Sequence, residues 1–305
     1  MHPESFHITH PVRGNIEGSL WTSTGAKAVV LLHPGTGIPQ RYYEPFARYL
    51  SELGLNVATY DYRGTGRSRP ASLRGFTVSM SDWIDDDVGA VTRWAAARFP
   101  ALPLLAVGHS LGGHALALSS DTNSLRAAVL VASHAGVTAT INSVTERTKV
   151  WIVMRVLAPL LCAVLGYMPG SKLGLGEDLP RDVMLQWSRW TTLPCYFFDD
   201  PAMDAARRMS QVQIPLLVLG FDDDPWANPD AISMLIAPLA NARIERHQIA
   251  PRHADMQAIG HMGFFRKPSE RLWPRVGSWL LEQAEHINGV PSGLVDDLRT
   301  KQETV

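Results

Sequence analysis

The stretch Leu104-Leu105-Ala106-Val107-Gly108-His109-Ser110-Leu111-Gly112-Gly113-His114 is a continuous apolar run that breaks into Gly-x-Ser-x-Gly and resumes with helical spacing. An apolar run without alternation belongs to a strand buried on both faces. A serine between such a strand and a helix sits on a sharp turn, where side chains at the flanking positions would collide with neighbouring backbone. Both flanking positions, 108 and 112, are glycine. The turn also directs the Leu111 amide and the N-terminus of the next helix toward charge developing beside the hydroxyl. Ser110 is the candidate nucleophile. The pentapeptide alone is weak, because at ordinary Gly and Ser content it arises by chance in roughly one chain in eight. Its weight rests on what surrounds it.

Outward from this stretch, apolar runs and helical periods alternate. The runs are Ala28–Leu32, Asn56–Tyr60, Leu104–Val107, Ala127–Ala132, Pro215–Leu219 and Arg243–Ile249, with helical patterns at Arg41–Leu53, Ser81–Phe99, Gly113–Ser120, Pro229–Leu239 and Glu270–His286. Such alternation predicts a mostly parallel central sheet with helices on both faces. Phe6–Val12 and Asn15–Ser23 alternate apolar and polar residues and read as an antiparallel hairpin at the start. The connection from about His134 to Val212 is far longer than a usual crossover and carries Trp151, Trp187 and Trp190. It reads as an inserted helical cap. The expected organisation is therefore a core formed by 1–133 and 213–287, a cap over 134–212 and a tail over 288–305.

Composition narrows the class. Twenty-eight Lys+Arg against 29 Asp+Glu give a net charge of −1, so no global field draws nucleic acid or an anionic surface, and a small neutral substrate fits better. The two cysteines, Cys162 and Cys195, are too few for a disulfide framework or a zinc cage and read as buried reduced thiols. No metal or organic cofactor is implied. The first residues, MHPESFHITHPVRG, lack a basic segment followed by an apolar one, which predicts a cytoplasmic protein. Val150–Met168 approaches the length of a membrane span, but Arg155, Pro159 and Gly166 interrupt it. A pair of amphipathic helices over a pocket is expected there, without stable membrane insertion.

A serine hydroxyl needs a general base, and the base needs an orienting carboxylate. The run ending at Leu219 is followed by Asp222-Asp223-Asp224-Pro225-Trp226-Ala227, and the last run is followed by Gly260-His261-Met262-Gly263. Among eleven histidines, His261 lies between glycines on a loop, and its nearest competitor, His253, does not. His109 and His114, one and four residues from the serine, cannot serve as a base delivered from another loop. Asp224, leading into the next helix, and Asp223 are the candidate acids; Asp222 fits least. The second oxyanion amide is expected from Gly35 or Thr36 on the loop after Leu32, since Pro34 has no N–H.

His33–Leu50 (HPGTGIPQRYYEPFARYL), YDYRGTGRS, GHSLGG, GFDDDPWA and GHMGFF occur in that order, and together they resemble the α/β-hydrolase superfamily. The cap sequence GYMPGSKLGLGEDLP with Gln186-Trp187-Ser188-Arg189-Trp190 is similar to bacterial α/β hydrolases related to the serine aminopeptidase and monoacylglycerol-lipase-like branch. The resemblance implies the α/β-hydrolase fold, a triad of Ser110, an Asp on the 222–224 turn and His261, and an oxyanion hole from Leu111 and the Gly35–Thr36 region. It gives Asp61 a structural place only. A serine at 110 disfavours the relatives that need a carboxylate nucleophile. The expected activity is cleavage of an ester or thioester of a small acyl substrate. An amidase or aminopeptidase-like activity, an acyltransferase using the same triad, and a binding module without reactivity are the competing readings.

Overall fold

In a computed structural model of the chain, residues 3–10 and 14–285 are described. The expected tail, 288–305, and the tip of the first hairpin at Arg13 lie outside the described residues. In chain order the strands are β1 (Glu4–Thr9), β2 (Asn15–Trp21), β3 (Val29–His33), β4 (Asn56–Tyr60), β5 (Leu104–His109), β6 (Ala127–Val131), β7 (Tyr167–Met168), β8 (Leu179–Pro180), β9 (Leu216–Phe221) and β10 (Ile244–Ile249). Eight of them form one sheet in the order β1-β2-β4-β3-β5-β6-β9-β10, and β7 pairs with β8 apart from it. β1, β2 and β4 are joined antiparallel, and every pairing from β4 through β10 is parallel.

Burial explains the pattern of the runs. β3, β4, β5, β6 and β9 are buried at every residue because helices cover both faces, whereas β10, an edge, is partly or fully exposed at every residue. From β3 the chain steps outward to β4 and then back past β3 to β5, so the winding direction reverses between β3 and β5. His33 and Gly108 are opposite one another at the ends of these two strands. Crevices at such a reversal, at the carboxyl ends of the strands, are where open α/β sheets bind ligands.

The main helices are α1 (Glu44–Glu52), α2 (80–98, continuous through a wide π turn), α3 (Leu111–Leu118), α4 (Val144–Leu165), α5 (Arg181–Trp190), α6 (Pro229–Ile236) and α7 (Trp273–Glu285). The start of α2 carries a capping box between Ser79 and Asp82. Within α2, buried Asp87 accepts from the Arg63 amide at 2.8 Å and from its guanidinium, which locks the Tyr60–Ser68 turn against the helix. Asp61 in the same turn accepts from the Gln40 amide at 2.7 Å, the Gln40 side chain at 2.8 Å and the Arg67 amide at 2.9 Å, a structural knot.

Between β6 and β9 lie α4, the β7–β8 ribbon and α5. The apolar stretch is one helix, not the expected pair. Pro159 removes the amide that would bond to Arg155, and a π turn over Val153–Leu157, closed by Ala158 N–H to Val153 O, takes up the mismatch without ending the helix. Gly166, at φ 80°, then stops it. Cys162 is buried as expected, but Cys195 is exposed, because the adjacent Tyr196 and Phe197 turn inward in its place.

Asn228 joins this layer to the core. Its carbonyl oxygen caps α6 through the Ala231 amide at 3.0 Å, and its side-chain amide donates to Thr140 O at 2.7 Å. Asn228→Ala is expected to destabilise the protein by about 2 kcal/mol, combining a lost cap with a lost hydrogen bond. A urea titration should show a lower midpoint with an unchanged slope.

Candidate active site

Ser110 occupies the turn between β5 and α3 with φ 51° and ψ −111°. A non-glycine residue in this region is strained by about 1–3 kcal/mol, and the strain persists only where the surroundings impose it. Here the Ser110 amide donates to Val131 O on β6 at 2.9 Å, and α3 turns back hard against the sheet. A Cβ at Gly112 would stand 2.1 Å from His33 O, and one at Gly108 would stand 2.4 Å from the Gly112 carbonyl carbon. Hence both positions must lack a side chain.

His261 follows β10 on a short helical turn, Gly260–Gly263, entered through Gly260 at φ 60°. Its Nδ1 lies 2.7 Å from Asp224 Oδ2, and its Nε2 lies 3.1 Å from Ser110 Oγ. With Nδ1–H donating to the carboxylate, Nε2 is left as acceptor for the Ser110 hydroxyl. The other oxygen of Asp224 accepts from the Trp226 amide at 2.9 Å and the Ala227 amide at 3.0 Å, so the carboxylate is fully satisfied although its side chain is 0 % exposed. Burial pushes this carboxyl up, but the hydrogen bond and charge of His261, with the Ala227 amide, outweigh it and hold Asp224 below the usual range.

The two candidate acids separate cleanly. Asp223 is exposed and its carboxylate accepts from the Ile259 amide at 2.7 Å; it tethers the loop two residues before His261 and leaves the imidazole to Asp224. Adjacent residues on a tight turn point apart, and only the one at 224 faces inward. Asp222 is also exposed. His253 is exposed and its ring nitrogen meets Arg252.

The oxyanion candidates separate as well. The Gly35 amide donates to Tyr43 Oη at 2.8 Å, which removes Gly35 from the expected pair. Among the described residues, no acceptor is engaged by the Thr36 or Leu111 amide. The same tyrosine hydroxyl lies 2.8 Å from His109 Nδ1, and His109 Nε2 lies 3.0 Å from the backbone carbonyl of His261. His109 thus acts as a strut, donating from Nε2 to hold the backbone of the histidine whose ring meets Ser110. Tyr42 Oη donates to the carbonyl of Met262 on the same turn.

Sequence reasoning gave His109 no such part and passed over Tyr42, Tyr43, His134 and Trp226. The Trp226 ring centre is 4.9 Å and the His134 ring centre 5.5 Å from that of His261. The signal for His109 was weak but present: at the end of a buried strand a polar side chain needs a partner. Burial holds His109 and His114 at a pKa of about 3 and His134 at about 4, with the neighbouring histidines adding to the effect, so all three are neutral near pH 7. His261 therefore meets its carboxylate without a competing imidazolium.

The profile of the family described as Serine aminopeptidase, S33 matches residues 24–251, which includes Ser110 and Asp224 and ends before His261. Over 93 residues the chain is 32 % identical to protein phosphatase methylesterase 1 of Kluyveromyces lactis, a match covering 28 % of this chain and 24 % of that protein. The chain thus spans about a quarter of that curated relative. A soluble variant of monoglyceride lipase from Saccharomyces cerevisiae, solved in complex with a substrate analog, superposes with a TM-score of 0.67 at 16 % identity, covering 93 % of this chain and 96 % of that one. A highly thermostable carboxyl esterase from Bacillus coagulans, in complex with glycerol, gives a TM-score of 0.62 at 14 % identity, covering 93 % and 99 %. At such identities the two structures establish the fold, and the profile establishes the family. The chain belongs to the serine aminopeptidase S33 family of α/β hydrolases.

Proposed function

We propose that the protein is a serine esterase that cleaves a carboxylic ester or thioester of a small, largely apolar substrate through an acyl-enzyme on Ser110. The observation that carries this reading is the unbroken hydrogen-bond path from Ser110 Oγ through His261 to Asp224. Oγ attacks the carbonyl carbon while its proton passes to His261 Nε2, and Asp224 stabilises the imidazolium that forms. The Leu111 and Thr36 amides take the oxyanion. Collapse expels the alcohol or thiol, which leaves with the proton from Nε2. Water then gives one proton to Nε2, its oxygen adds to the acyl carbon, and Ser110 departs with that proton.

Trp226 and the neutral rings of His109 and His134 beside His261 suit a neutral acyl group. One feature favours an aminopeptidase instead. Glu146, which accepts from Trp226 Nε1 at 3.2 Å, places a carboxylate two contacts from His261, where a substrate ammonium would be attracted.

A fluorophosphonate probe is expected to label Ser110, read by mass on the peptide, and p-nitrophenyl esters are expected to turn over faster than aminoacyl anilides. Labelling absent from folded protein would sink the esterase and the aminopeptidase alike. Faster anilide turnover would favour the aminopeptidase, and acyl transfer to added alcohols would mark a transferase.

A further inference from the structure

The large exposed apolar side chains of the described residues all fall between 144 and 175, six of them on one helix. Val144, Trp151, Ile152, Val156, Leu160 and Val164 lie on α4, and Leu173 and Leu175 lie in the segment between β7 and β8. From Ile152 to Val164 they recur every four residues, which makes a stripe along the helix. By length and composition α4 could cross a membrane, yet only 17 % of its apolar window is buried. Its opposite face is not free: Met154, Ala158 and Cys162 are buried against the domain, and Ser188 donates to the Met154 carbonyl. A helix bound to the fold along one side offers a surface, not a span.

The charges around the stripe identify what that surface meets. Between 144 and 178 the charged side chains are Arg147, Lys149, Arg155 and Lys172 against Glu146, Glu177 and Asp178, and the last two carboxylates are already paired with Arg41 and Arg69 from outside the stretch. This basic local balance stands against a net charge of −1 for the whole chain. Lys149, Arg155 and Lys172 are exposed, and Lys149 approaches Glu146 only at 3.9 Å. Exposed Arg74 adds a further cation at the helix C-terminus, donating to Leu165 O at 3.3 Å. Two copies of this face brought together would oppose cation to cation. Anionic headgroups would neutralise those cations while the acyl boundary takes up the apolar stripe, with the exposed Trp151 suited to the level between them.

We propose that the outward face of α4 docks the protein on the surface of an anionic lipid bilayer, with the helix lying in the interface plane. The face is built next to the candidate active site, since Glu146 in the first turn of α4 bonds to Trp226, which packs against His261. Docking itself does not depend on the chemistry proposed above.

The test is co-sedimentation of the full chain with phosphatidylcholine vesicles prepared with and without phosphatidylglycerol. Binding is expected to require phosphatidylglycerol and to weaken with salt. The combined variant Ile152→Ser, Val156→Ser, Leu160→Ser should bind at least about tenfold less, with circular dichroism and melting midpoint unchanged. Should that variant fail to fold, Arg155→Glu leaves the apolar face intact and is expected to weaken binding severalfold. Ser110→Ala should bind as the parent chain does, so a failure of the esterase reading leaves this result interpretable. Absence of binding by the parent chain, or undiminished binding by folded variants, overturns the proposal. A dimer seen by light scattering that the triple variant dissociates, with no vesicle binding, overturns it in favour of a second copy.

Discussion

Ser110→Ala is expected to lower kcat for a p-nitrophenyl ester by about 10⁴- to 10⁶-fold with little change in KM. The hydroxyl is the only group in the proposed path that bonds to the substrate, so its loss removes the acyl-enzyme route and leaves whatever the oxyanion amides and binding provide. His261→Ala should cost about as much, and the double variant little more than either single one, because the groups act as a unit. Asp224→Asn should cost somewhat less, about 10⁴-fold. The Trp226 and Ala227 amides would hold the carbonyl oxygen of an asparagine at 224, so its NH2 would face His261 Nδ1 and favour the wrong imidazole tautomer. Asp223→Asn should cost at most about tenfold, since its carboxylate holds only the Ile259 amide. Steady-state kinetics on the four single variants and the double variant decides the order. A larger loss at Asp223 than at Asp224 would overturn the assignment of the acid, and normal turnover by Ser110→Ala would overturn the mechanism.

The protein is expected to lose stability steeply between pH 6.5 and 5. Burial depresses His33, His109 and His114 to about 3 and His134 to about 4 in the folded state, from an ordinary value of 6.5. Below pH 6.5 the unfolded chain binds protons at these positions and the folded chain does not. Stability is therefore complete above pH 6.5 and falls as the pH drops toward 3 to 4. Each histidine contributes roughly 1 kcal/mol per pH unit in this window. Four together approach the whole stability of a typical domain within about two units. The melting midpoint measured from pH 7.5 to 5 should fall continuously, and a flat profile would show that these rings are protonated in the folded protein.

The strand that precedes Ser110 and the glycines beside it were legible because local geometry imposes them: no other residue fits between α3 and the His33 carbonyl. The five inner parallel strands, β3, β4, β5, β6 and β9, were legible because burial on both faces leaves an apolar run that polar alternation cannot mimic; β10, expected among them, is an edge with no buried residue. Their ends were less so. β5 extends through His109 and β9 through Phe221, beyond the expected ends at Val107 and Leu219, because polar or glycine-containing ends still join the ladder. The apolar stretch was read as two helices on the strength of Arg155, Pro159 and Gly166. A π turn absorbed the proline, and no rule of composition signals such a local change of register.

Local chain chemistry thus suffices for the alternation of strand and helix, the sharp turn at Ser110, and a histidine and a carboxylate turn placed after later strands. It left Asp223 beside Asp224 and Gly35 beside Thr36, because neighbours on one loop share the same local pattern. Long-range contacts divide them: the Ile259 amide takes Asp223, His261 takes Asp224, and Tyr43 takes the Gly35 amide. The strut from Tyr43 through His109 to the His261 backbone, and the outward apolar face of α4, have the same origin. Each depends on which side of an element faces the fold, and that is settled when distant segments pack together.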